Sequence, residues 1–322
     1  MALYLITGAA GFIGSSIARE LVRRGDRVRG IDNFETGKPG NIATVRERID
    51  FREVDILDYR GLKEAMAGVD WLFHQAALPS VPLSVGDPAR SHNININGTF
   101  NVLLAAREAK VKRIVYAASS SAYGETLTLP KHEEMVPSPV SPYAVQKLTG
   151  EHYMQSFSRV YGLETICLRY FNIFGPHQDQ SSPYSGVIAK FINKMLAGES
   201  PTIYGDGEQS RDFTYVDNAV EANLLAMAAP ASAAAGQSYN VGTGRQISLN
   251  ATCETLRQII GFKGAINFAA PRVGDVRHSL ADISRARDAL QYSPQVSFEE
   301  GLRRTVDWYK GNCVNPQAAT AV

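Results

Sequence analysis

At 322 residues, 44% hydrophobic and 20% charged with a formal net charge of +1, the chain is long enough to bury two cores, or one core enlarged by insertions. That charge balance offers no field to recruit nucleic acid or an anionic membrane, and no window holds the roughly 18 uninterrupted apolar residues of a bilayer span. Cys167, Cys253 and Cys313 are odd in number, far apart and without metal-ligand spacing, which suits a reducing compartment. A cytoplasmic protein that takes small polar ligands is expected, with no nucleic acid, membrane or metal partner.

The first apolar run, Leu3 to Thr7, breaks into Gly8-Ala-Ala-Gly11-Phe-Ile-Gly14. The next stretch carries Ile13, Ile17 and Leu21 on one stripe and stops at Gly25, which predicts a helix opening on the glycine turn. Strand-like runs follow at Arg27 to Asp32, Asp50 to Asp55, Trp71 to Ala76, Arg113 to Ser119 and Thr165 to Phe171, with helix-like stretches between them. This alternation predicts an α/β fold, a Rossmann-like doubly wound parallel sheet covered on both faces. After Asn172 the rhythm turns irregular, with a helix expected near Val187 to Ala197, a turn at Gly205-Asp206-Gly207, and strand plus helix over Thr214 to Ala228. The expected division is 1–175 for the sheet domain and 176–322 for a smaller C-terminal lobe, with part of 213–242 returning to the first.

Glycines 8, 11 and 14 let the backbone turn tightly, approach a pyrophosphate and pack the helix on the sheet. The helix start then offers free N–H groups and its positive dipole end. The spacing is G-x-x-G-x-x-G, and such turns alone are weak evidence. Asp32 strengthens it, closing the second strand 18 residues beyond Gly14, where a carboxylate can accept both adenosine ribose hydroxyls and would repel a 2′-phosphate. The cofactor expected is NAD rather than NADP. Asp55 and Ile56 could likewise meet the adenine.

Ser141-Pro142-Tyr143 reads as a capped helix start, which puts Tyr143 and Lys147 one turn apart on one face. A phenol with an ordinary pKa of about 10 is a poor base, but a neighbouring ammonium and a positive nicotinamide both favour phenolate. Ser119, Ser120 and Ser121 follow a strand at the carboxyl edge of the sheet, where a hydroxyl can hold or relay the reacting oxygen. His74 is expected to be a structural strand-end residue, since no second metal ligand lies at a useful spacing.

Taken together, these residues resemble the extended short-chain dehydrogenase/reductase family, and within it the UDP-sugar 4-epimerases of the UDP-glucose and UDP-N-acetylglucosamine type. The resemblance runs through Gly8 to Gly14, Asp32-Asn33, His74-Gln-Ala-Ala77, Asn95-Ile-Asn-Gly-Thr99, Ser119 to Gly124, Tyr143 to Lys147, Arg169-Tyr-Phe-Asn172, Arg211-Asp-Phe-Thr214 and Gly274-Asp275. It implies an NAD site that includes Phe12, Ile13, Asn33, Thr36, Gly37, Gln75, Ala76, Ala77, Asn95 and Tyr170. It also implies a substrate site at Ser80, Asn172, Val187, Tyr204, Arg211, Arg272, Asp275 and Ser279. In that site the arginines meet the pyrophosphate, Asp275 the uridine ribose and Tyr204 the uracil.

The reaction implied is C4 epimerisation through a 4-keto intermediate. A homodimer through the helices of Asn101 to Lys110 and Tyr143 to Tyr161 is implied as well. Related sugar-nucleotide dehydratases carry an acidic pair where this chain has Ser120 and Ser121, and decarboxylases require a Glu that it lacks, so both reactions are disfavoured. Uronate 4-epimerases are an alternative, disfavoured by Asp179 where a cation would meet the carboxylate. A non-catalytic NAD-binding sensor is the alternative of another class. Ser279, four positions beyond Asp275, matches a pocket gate where a bulky tyrosine restricts the family to plain hexoses, so serine is expected to admit UDP-GlcNAc and UDP-GalNAc.

Overall fold

The computed structural model describes residues 2–179, 186–271 and 277–313. Seven parallel strands form one sheet: β1 (Leu3–Thr7), β2 (Arg27–Asp32), β3 (Asp50–Glu53), β4 (Trp71–His74), β5 (Arg113–Ser119), β6 (Glu164–Tyr170) and β7 (Gln237–Val241). Their spatial order is β3-β2-β1-β4-β5-β6-β7. The direction of winding therefore reverses between β1 and β4, which opens a crevice at their carboxyl ends.

Consecutive strand residues face opposite sides, so a sheet buried on both faces needs apolar side chains at every position. Leu5, Leu72 and Ile114 pack into one hydrophobic cluster, whereas Ile6, Phe73 and Val115 pack into the other. On the first face lie α2 (Tyr59–Met66), α3 (Thr99–Glu108) and part of α4 (Pro142–Tyr161). The second face takes α1 (Phe12–Arg23) through Ile17 and Leu21, and α6 (Val216–Ala228) through Ala219, Ala222 and Ala226.

Three strands end earlier or start sooner than the sequence predicts. β3 stops at Glu53 and β4 at His74, while β6 begins at Glu164. The first two differences share a cause: Asp55 accepts the Leu57 N–H at 2.7 Å and turns the chain, and Ala76 leaves the ladder by donating to Thr7 Oγ1 at 3.2 Å. Helix α1 ends at Arg23, and Gly25 sits just beyond it with φ +83°.

The smaller lobe is built from α5 (Val187–Leu196) and pairs of two- or three-residue strands, among them Ser210–Arg211 with Ile247–Ser248. β7 lies on the far side of this lobe in sequence yet pairs with β6 along its full length. Segments beyond Gly175 thus interleave with the sheet domain. Among the described residues no helix is long and apolar enough to cross a membrane.

Candidate active site

The glycine turn is as tight as its spacing requires. Gly8 has φ +69°, and a Cβ there would lie 2.7 Å from the Ala76 nitrogen; a Cβ on Gly14 would lie 2.1 Å from the Gly8 oxygen. Gly11 caps α1 with extended backbone and donates to Gly8 O at 3.0 Å, leaving Phe12 and Ile13 to open the helix. Asp32 ends β2 buried, accepting N–H groups from Ala10 at 2.9 Å and Phe34 at 2.8 Å. Burial raises its carboxyl pKa, and the backbone hydrogen bonds oppose that.

Gly37 lies against Asp32, since a Cβ there would sit 2.7 Å from its oxygen, and Thr36 stands exposed beside it. Asn33 donates to Asp55 at 2.9 Å, joining the ends of the second and third strands. Ile56 is buried against Gly98. A backbone cradle next to a carboxylate with unused lone pairs suits a pyrophosphate and a ribose, so these residues fit a dinucleotide.

Across the crevice, Gln75, Ala76 and Ala77 are half-buried. Gln75 and Tyr170 are joined through Asn223, to which Gln75 donates at 3.1 Å and Tyr170 at 3.1 Å. Asn95 is buried and its amide is committed: it accepts from Leu78 N at 2.8 Å and donates to Gln146 at 2.8 Å, tying the loop after β4 to α4. Ser80 caps the short helix Val81–Gly86, accepting from Leu83 N at 3.2 Å.

Helix α4 begins as expected, with Ser141 accepting from Ala144 N at 3.2 Å. Tyr143 stands in its first turn, half-buried, and Ser119 at the end of β5 hydrogen-bonds to its phenol. Desolvation pushes that phenol up to about 12, and the Ser119 bond draws it back. Ser119 in turn accepts Ser121 Oγ at 2.8 Å, while Ser120 opens the following turn.

Lys147 is buried and donates to the Ala117 carbonyl at 2.8 Å; desolvation lowers its amine to about 7. The expected lowering of the phenol by this ammonium therefore does not govern Tyr143 here, because desolvation outweighs it on both groups. His74 is structural as expected. Its ring bridges Thr7 Oγ1 at 2.7 Å and Thr99 Oγ1 at 3.0 Å, and burial lowers its pKa to about 3.

Four of the expected substrate residues meet in one cavity of about 270 Å³, lined by Asn172, Val187, Tyr204 and Arg211 together with Phe191 and Phe213. Asn172 has φ +34° and donates to the Asp212 carbonyl at 3.2 Å; Arg211 donates to the Arg277 carbonyl at 3.1 Å. Ser279 is half-buried on the segment that lies against this strand, donating its N–H to Ser210 O at 3.1 Å. Arg272 and Asp275 lie outside the described residues. A larger cavity of about 410 Å³ between α1 and α6 holds none of the expected site residues.

Asp179 does not line the sugar-side cavity; it pairs with Lys38 at 2.6 Å. The repulsion expected of it towards a uronate is thus offset by that cation. Asp212, within the Arg-Asp-Phe run but not picked out from the sequence, is fully buried. It accepts from Thr243 N at 2.8 Å, Gly244 N at 2.9 Å and Ala281 N at 3.2 Å, binding two distant segments behind Arg211. Its only sequence signal is its place beside Arg211 in the Arg211-Asp-Phe-Thr214 run.

Residues 4–242 match the NAD dependent epimerase/dehydratase family. The chain belongs to that family. It is 37% identical to a UDP-glucose 4-epimerase of Thermotoga maritima solved with UDP-glucose, over 97% of this chain and 99% of that one, with a TM-score of 0.92. It is 39% identical to a UDP-N-acetylglucosamine 4-epimerase of Methanobrevibacter ruminantium, solved with UDP-N-acetylmuramic acid, over 97% and 99%, with a TM-score of 0.91. It is also 33% identical to a UDP-glucuronate 4-epimerase of Thermodesulfobacterium geofontis, over 97% of each chain. NAD is the cofactor, and the enzyme class is that of the UDP-sugar 4-epimerases, which are isomerases.

Proposed function

We propose that the chain inverts C4 of UDP-GlcNAc and UDP-GalNAc, with UDP-Glc and UDP-Gal as further substrates. The observation that carries the chemistry is the meeting of Ser119, Tyr143 and Lys147 at the carboxyl edge of the sheet, beside the glycine turn and Asp32. Tyr143 Oη takes the proton of the 4-hydroxyl and later returns it, Ser119 orients that phenol, and Lys147 holds the floor beneath it through Ala117. Bound NAD⁺ supplies a reversible hydride acceptor at the same carbon, so no net redox change results. The ketone must present its other face before C4 is reduced again, which requires a roomy sugar pocket.

Support for an acetylated sugar comes from Ser279, a small residue at the position where the family resemblance puts a gate that a bulky tyrosine narrows. Phosphate oxygens suit the Arg211 fork, and an exposed face of Tyr204 suits uracil. Arg272 and Asp275 complete this reading of the UDP site.

A uronate is the second reading, favoured by the pairing of Asp179 with Lys38. A substrate panel of UDP-GlcNAc, UDP-Glc and UDP-GlcA with no added NAD, followed by NMR of the anomeric protons, tests all of this. Turnover of the non-acetylated pair alone refutes the gate, turnover of UDP-GlcA alone establishes the second reading, and no product at all supports the sensor. Ser279→Tyr should cut acetylated-sugar turnover by about 100-fold while sparing UDP-Glc.

The proposal includes a homodimer through α3 and α4, supported by Val145, Tyr153, Val160 and Tyr161 standing exposed along α4. Light scattering at assay concentration should give twice the chain mass, and a monomer would refute it.

A further inference from the structure

The first N–H groups of a helix have no partner inside it, so something else must accept them. In α4, Pro142 has no N–H and Ala144 donates to the Ser141 hydroxyl at 3.2 Å. The remaining one belongs to Tyr143, and it donates to Ser84 Oγ at 3.0 Å, from a segment 59 residues earlier. Ser84 is fully buried, and its own proton goes to the Val81 carbonyl at 2.7 Å. Both capacities of the hydroxyl are committed, which fixes its direction. The helix that carries it starts at Ser80, whose carbonyl accepts the Ser84 N–H at 3.0 Å.

We propose that Ser84 is a positioning residue for the reaction: by holding the main-chain N–H of Tyr143, it sets where the phenol stands against Ser119 and the sugar hydroxyl. This rests on the reading of Tyr143 as the proton-transfer group. Losing the acceptor strands a partly buried N–H, which favours a shift of the helix start towards another partner. A displacement of about 1 Å at a reacting group can cost up to about 100-fold in rate. The cavity lined by Asn172, Val187, Tyr204 and Arg211 and the glycine turn lie on other segments, so the loss falls on kcat.

The test compares wild type with Ser84→Ala and Ser84→Cys, all purified with their bound cofactor, on the pair that wild type turns over best. Alanine removes the acceptor, whereas cysteine keeps the side-chain volume and offers only a weak one. Both variants should lose about tenfold or more in kcat, with KM within about twofold and NAD content unchanged. Their kcat–pH profiles should move to higher pH as the phenol draws away from Ser119. Ser84→Ala within about twofold of wild type in kcat per folded site overturns the proposal. So does a cysteine variant that restores kcat, since packing would then explain the residue. If the alanine variant does not fold, the cysteine variant decides alone. A wild type inert towards every UDP-hexose would instead refute the underlying reading, and is recognised because no substitution is involved.

Discussion

The two sides of the crevice are built differently. Around Tyr143 the polar groups are dry and held by the long elements: Lys147 on the β5 carbonyl of Ala117, and His74 between threonines of β1 and α3. On the sugar side, Asn172, Val187, Tyr204 and Arg211 come from four separate segments, joined by strands two or three residues long and by the buried carboxylate of Asp212. Proton transfer needs fixed geometry, and a parallel sheet edge supplies it. Substrate choice needs a wall that can change without unravelling the sheet, and short segments supply that.

If the division holds, the largest effect separates chemistry from binding. Tyr143→Phe should reduce kcat by about 1,000-fold, within the range that loss of one positioned acid–base group produces. UDP affinity, measured by calorimetry, should stay within about twofold, because the aromatic body remains and the cavity is lined by other residues. Epimer exchange within tenfold of wild type would break the comparison, since the dry side would then not own the chemistry.

The dry side was also the legible one. Its signals are local and periodic: a glycine turn between a strand and a helix, an acid closing the next strand, and Ser-Pro-Tyr before a Tyr/Lys pair one turn apart. The sugar side resisted direct reading, because an isolated Arg211 or Ser279 has no pattern until distant segments fold beside it; only the family resemblance singled them out. Asp212 and Ser84 were missed for a related reason. Each acts on backbone N–H groups far away in sequence, and nothing about an Asp beside an Arg or a Ser in a short helix announces such a partner. β7 went unread as a strand because Gln237–Val241 mixes polar with apolar residues, being polar where Ser238 donates to Glu151 and Asn240 accepts from Tyr123. The pairing of Asp179 with Lys38 was unreadable for the same reason, since the two lie 141 residues apart.

The smallest effect sharpens what dryness means. His74 is neutral in the fold because burial, reinforced by the nearby charge of Lys147, lowers its pKa from 6.5 to about 3. In the unfolded chain it takes up a proton below pH 6.5, whereas the folded chain cannot, so stability is lost as pH falls from 6.5 towards 3. By pH 5 that amounts to about 2 kcal/mol, at about 1.4 kcal/mol per pH unit. Asp32, Asp212 and Glu133 work in the opposite sense, because burial raises their folded pKa values and acid then relieves them. The measurement must therefore be a difference: denaturant melts of wild type and His74→Gln at pH 7 and pH 5. The glutamine variant starts less stable at pH 7, having exchanged a ring for a flexible amide, but the gap between the two proteins should close by about 2 kcal/mol at pH 5. An unchanged gap would mean that the imidazole titrates as it does in water, and that the floor beneath Tyr143 and Lys147 is wetter than the contacts of Thr7 and Thr99 imply.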